Sequence, residues 1–126
     1  MKCLTIRQPW TYAIFCLGKD IENRDWPTRV RERIAIHAAA GMTRREYDAA
    51  AVFISRITSE PLPPYTALAR GMVLGTVEIV DCVRQSPSPW FMGEYGFVLR
   101  APRLLPEGPR PAKGQLGFWD WDEGEL

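Results

Sequence analysis

Lys2-Cys3-Leu4-Thr5-Ile6-Arg7, then Gln8-Pro9, then the apolar run Trp10 to Leu17 that Gly18 closes, is the stretch from which the fold is read. In the first six residues Leu4 and Ile6 alternate with Thr5 and Arg7, the period of a strand with one buried face. Pro9 suits the first position of a helix, where its missing N–H costs nothing, and Gly18 supplies a left-handed stop. A strand turning at once into a short buried helix is therefore expected at 2–18.

Working outward, Asp20 to Trp26 alternates again, with Asp20, Glu22, Arg24 and Trp26 on one face. Arg31 to Ala38 places Ile34 and Ile36 inward and Arg33, Ala35 and His37 on the other side, and these two strands are expected to be neighbours. Thr43-Arg44-Arg45-Glu46 is a capping box, followed at helical spacing by Tyr47, Ala50, Ala51, Ile54 and Ile57. Pro61, Pro63 and Pro64 make 59–71 a loop, β-branched Val73 to Val83 reads as a strand, and 85–93 is a second loop. Gly96 to Arg100 and Gly117 to Trp121 read as closing strands across a proline-rich segment that cannot be helical. The sum is an α+β chain: five or six mostly antiparallel strands in a curled sheet or small barrel, with two or more flanking helices.

The chain's 126 residues fit one domain spanning 1–126. With 46% hydrophobic and 25% charged residues the composition is globular. No apolar run approaches the roughly 20 residues of a membrane span, and the first residues lack a signal peptide's pattern, so a cytoplasmic protein without membrane contact is expected. Cys3, Cys16 and Cys82 are an odd number and widely spaced, which points to buried thiols rather than disulfides or a metal site. The net charge is only +1, but residues 1–60 carry a surplus of three positive charges and residues 61–126 a surplus of two negative ones. A polyanion would meet the first half.

No glycine-rich phosphate loop or dinucleotide fingerprint is present, which disfavours nucleotide-cofactor chemistry. A lone histidine, His37, offers no advertised triad or metal cluster and is expected to be a hydrogen-bonded residue at a strand end. The chemistry-bearing residues crowd into Gln8-Pro9-Trp10, Gly18-Lys19 with Glu22-Asn23-Arg24, and Ile34-Ala35-Ile36-His37-Ala38. These motifs, in this order, resemble the ASCH domain, as do Leu74 to Val80 and Lys113 to Trp119. The resemblance covers nearly the whole chain. It implies a PUA-like β-barrel flanked by helices, whose intervening cleft binds RNA or related nucleic acid, or a nucleobase or nucleoside.

The residues support that expectation on their own chemistry. Lys19, after a glycine turn, is expected to swing toward a phosphate, while Arg24 offers a planar fork for a phosphate or a base edge. Glu22 either holds Arg24 in place or accepts from a base's amino group. Trp10 and Trp26 are stacking candidates, though Trp10, set in an apolar helix, suits the core better. Gln8 caps the first helix or reaches a base, and Arg7 and His37 complete the expected nucleic-acid-binding set. One ASCH branch is similar to an amidohydrolase acting on acetylated cytidine through a Lys, a Thr and a Glu, and other members to ribonucleases. That resemblance would make Lys19, Glu22 and Glu78 catalytic. Glu22, however, stands where the branch has its threonine nucleophile, and a carboxylate cannot take over that role unless water attacks with Glu22 or Glu78 as base. Binding is the expected function and hydrolysis of RNA or a modified nucleoside the alternative, with no cofactor or metal and the oligomeric state open.

Overall fold

The computed structural model describes residues 1–122, so the last four positions of the expected 1–126 unit lie outside the described residues. It is an α+β architecture of one mixed sheet and two helices: β1 (Lys2–Ile6), α1 (Trp10–Cys16), β2 (Ile21–Arg24), β3 (Arg33–Ala38), α2 (Arg44–Ser55), β4 (Met72–Val83), β5 (Tyr95–Leu104), β6 (Arg110–Pro111) and β7 (Phe118–Asp120). The strands run in the order β2-β5-β4-β3-β1-β7, with β6 paired to β4. Among the described residues only β1 and β3 pair in parallel. Their connection carries α1 and β2, the long crossover that parallel neighbours require.

β2 and β7 end the sheet at opposite sides, yet the chain just after β2 reaches β7. The Arg24 Nη2 donates to the Thr5 carbonyl of β1 at 2.9 Å. Trp26 lies edge-on to Phe97 of β5 at 5.3 Å and to Phe118 of β7 at 5.7 Å, and the two phenylalanines stack at 6.2 Å. The sheet is therefore curled into a half-barrel whose seam is bridged by Arg24 of β2 and by Trp26, two residues beyond that strand rather than within it as the alternation to Trp26 predicts. Leu4, Ile6, Ile34, Ile36, Val77, Ile79 and Phe97 fill its interior. Ala13, Ile21, Ile54 and Trp90 form a second cluster that fastens both helices to the sheet. Arg44–Ser55 is helical for the reason the sequence advertises: Thr43 and Glu46 cap each other's backbone, at 2.8 and 3.1 Å.

Three expectations need correction. The strands at 21–24 and 33–38 are not neighbours, because β2 hydrogen-bonds to β5 while β3 lies between β1 and β4. The sheet has seven strands rather than five or six, since proline did not end the pairing: β5 runs on through Pro102 to Leu104, and β6 is a two-residue bridge ending in Pro111. Of the three thiols only Cys3 is buried; Cys16 is exposed, one helical turn beyond the half-buried Tyr12, on the outer side of α1. Among the described residues no helix is long and apolar enough to cross a membrane.

Candidate functional site

Between the half-barrel's seam and α2 lies an open cleft of about 470 Å³. β1 and the turn after it contribute Thr5, Ile6, Arg7 and Gln8, α1 contributes Trp10, β2 contributes Glu22, Asn23 and Arg24, and α2 contributes Glu46, Ala49, Ala50 and Phe53. A hollow of about 350 Å³ bordered by Trp10, Lys19, Glu22, Asn23 and Met92 shares Trp10, Glu22 and Asn23 with these walls, and Met92 borders both. Trp10 and Phe53 meet edge to face at 5.7 Å, so the cleft carries two aromatic rings at its helical side.

The sheet side of the cleft is ionic. The Glu22 Oε2 lies 3.0 Å from the Arg24 Nε, and its Oε1 lies 3.7 Å from the Lys19 Nζ. Arg24 Nε nonetheless has no aligned hydrogen-bond acceptor, so its tie to Glu22 is charge attraction without a well-directed N–H. Lys19 differs from expectation. Gly18, with φ +75°, turns the chain back so that Lys19 N–H donates to the Ala13 carbonyl, and the side chain runs inward. Its ammonium donates to the Ile21 carbonyl, sits 5.7 Å from the Trp10 ring, and is almost wholly buried. Burial pushes it below the usual lysine range, against the pull of the Glu22 and Asp20 carboxylates. A buried ammonium so engaged does not swing to solvent.

The other expected residues divide. Arg7 lines the cleft but is clamped by Glu46: its Nε and Nη2 donate to the two carboxylate oxygens at 2.9 and 2.7 Å. That clamp, with the Thr43 backbone, draws the exposed Glu46 carboxyl down to about 2 and pushes the Arg7 guanidinium up. Gln8 is structural as well as wall: Oε1 accepts from Tyr12 N–H at 3.0 Å and Nε2 donates to the Ala69 carbonyl at 2.9 Å, closing α1's first turn. Trp26 is given over to the seam, with Arg24 across its face at 5.9 Å. His37 is buried and hydrogen-bonded as expected, Nε2 to the Ala112 carbonyl at 2.7 Å, and faces a different hollow. Glu78 is not brought to the cleft: it alternates with buried Val77 and Ile79 on β4 and pairs with Arg100 on the opposite face of the sheet.

The sequence reading missed Asn23, Glu46 and Phe53. Asn23 Nδ2 donates to the Trp90 carbonyl at 2.9 Å, and its Oδ1 accepts from Met92 and Gly93 N–H at 2.9 and 3.2 Å, pinning the 88–93 loop to the cleft's rim. An asparagine in mid-strand, where its side chain competes with backbone pairing, was the available signal. Nothing local marked Glu46 beyond its cap. Among the described residues no group of three histidine, cysteine or acidic side chains is arranged to hold a metal ion.

A mixed half-barrel with an ion-lined cleft against a helix defines the class, and comparison names it. The family model of the ASCH domain matches residues 4–99, and the chain belongs to that family. No curated protein matches the chain.

Proposed function

We propose that the chain binds single-stranded nucleic acid, RNA foremost, by taking one nucleotide into the cleft between seam and α2. The observation that carries this is the pairing on one wall of an acceptor, Glu22, with a donor fork, Arg24, opposite the rings of Trp10 and Phe53. A base presents donors and acceptors at its edge and an apolar face, and this wall answers both. The volume falls within the range of small-ligand sites. On this reading the half-barrel is PUA-like, residues 1–126 act as one unit, and the protein works in the cytoplasm.

Few cations are free to meet phosphate, since Lys19 is buried and Arg7 commits its Nε and Nη2 to Glu46, leaving its Nη1 outside that pair on a half-exposed side chain. Salt dependence should thus be shallow, a slope of log affinity on log salt on the order of −1 to −2. Fluorescence titration with oligoribonucleotides at two salt concentrations tests the proposal, and no saturable binding at the lower one refutes it. Hydrolysis through Lys19 with Glu78 lacks support from geometry, because Glu78 stands on the other face. Hydrolysis with Glu22 as base stays within the cleft, and chromatography of N4-acetylcytidine and short RNAs after incubation reads it separately.

A further inference from the structure

Beside the cleft lies a second hollow, of about 380 Å³, into which Thr5, His37, Ala39, Ala40, Lys113 and Leu116 face. Thr5 borders both, so the two adjoin at that residue of β1. The hollow is rigidly built. His37 is 1% exposed, its Nε2 is tied to the Ala112 carbonyl, and its Nδ1 has no partner. Gly114 rests on that ring so closely that an added Cβ would stand 2.8 Å from the His37 Cε1 and 2.9 Å from the Thr5 Oγ1. Thr5 Oγ1 is itself fixed by the Trp119 Nε1 at 3.0 Å.

Two further features ask for an occupant. Leu116, at the rim, is 98% exposed, an apolar side chain that burial would favour. Arg7 lies against Gly41, where an added Cβ would be 3.3 Å from its Nη2, and Gly41 adjoins Ala40 of the hollow. A cation thus stands near the passage between cleft and hollow, with the exposed Lys113 on the far side.

We propose that this hollow is a second base subsite, taking the nucleotide next to the one held in the cleft, with Leu116 covering its base and Arg7 beside the linking phosphate. This rests on the cleft being a nucleotide site, and adds that the smallest full ligand is a dinucleotide step. A preformed apolar slot of nucleoside size, adjoining the cleft at Thr5 and flanked by cations, suits a base better than a free anion.

The test is amide chemical-shift mapping by NMR on the full chain, with cytidine monophosphate and then the dinucleotide CpC as probes, in wild type and Leu116→Asp. Leu116 is outside the core, so the substitution leaves the fold intact. The mononucleotide is expected to shift the Glu22 and Asn23 amides alone. The dinucleotide is expected to shift those of Ala40, Lys113 and Leu116 as well and to bind about tenfold more tightly, an advantage that Leu116→Asp reduces to threefold or less. Cleft shifts without hollow shifts, or an advantage that survives Leu116→Asp, overturn the second subsite and leave the cleft reading standing. Absence of shifts at Glu22 and Asn23 with either probe overturns both. Shifts at Leu116 that grow with protein concentration alone would mark a second copy of the chain as the occupant and also overturn it.

Discussion

Replacing Glu22 by Gln removes one charge from the cluster Lys19, Glu22 and Arg24 while keeping its shape. Lys19 and Glu22 have side-chain exposures of only 3% and 9%, so solvent cannot take over the missing charge. Removing one partner of a buried pair costs about 3–5 kcal/mol. The lower end applies, because Lys19 keeps the Ile21 carbonyl and the Trp10 ring, and Arg24 keeps the Thr5 carbonyl. About 3 kcal/mol in a chain of this size lowers the melting temperature by roughly 10 °C. The loss also depends on pH. Lys19 is already below its usual range in the folded protein, so the folded state gives up that proton before the unfolded state does, and stability rises with pH through the window up to its unfolded value of 10.5. Without Glu22, which opposes the drop, the window extends to lower pH. Urea denaturation near pH 6 and near pH 10 should therefore find the larger loss at the lower pH. A loss below about 1 kcal/mol, or one equal at both, would refute the buried cluster.

Three further outcomes follow from the geometry. Gln8→Ala leaves the Tyr12 N–H and the Ala69 carbonyl without their partner and should cost about 2 kcal/mol in chemical denaturation. Arg7→Met should alter the acid limb: the Glu46 carboxyl, held at about 2 when folded, stabilises the wild type above its ordinary 4.5 and loses that contribution as pH falls toward 2, so melting curves of the two proteins should converge in acid. Gly114→Ala drives a Cβ into the buried His37 ring and should cost roughly 1–3 kcal/mol by thermal denaturation, and an unchanged midpoint would show that the 112–116 segment is not fastened there.

The elements of this fold were legible where local chemistry decides them. The apolar alternation of the sequence in β1 and β3 and the reciprocal cap of Thr43 with Glu46 are properties of neighbouring residues. The single buried face expected of β1 is nonetheless not observed, because Cys3, Ala35 and His37 are buried on the other side by the chain's closing segment. What pairs with what was not legible. β2 sits beside β5, about seventy residues away in sequence, because the sheet curls and the seam needs Trp26 between Phe97 and Phe118. The cleft residues Glu22, Arg24, Arg7 and Gln8 could be read from their types and closeness in sequence, whereas Glu46, Ala49 and Phe53 enter it only through the docking of α2. Lys19 shows the limit most plainly: a glycine turn predicts freedom, and the direction that turn takes buries the ammonium instead. Glu78 failed to reach the cleft for an equally plain reason, since strand alternation puts it on the face opposite Val77 and Ile79.

Ala49 offers the most direct test that the cleft is the binding site. It is exposed on α2 and lines the cleft, so Ala49→Trp fills the space without touching the core. Binding of single-stranded RNA should be measured by fluorescence anisotropy for both proteins at about 50 mM and about 200 mM salt, with melting curves as the control for folding. The wild type is expected to bind saturably, modestly more weakly at the higher salt, and Ala49→Trp to lose about tenfold or more in affinity at an unchanged melting temperature. Equal binding by the two proteins would contradict it.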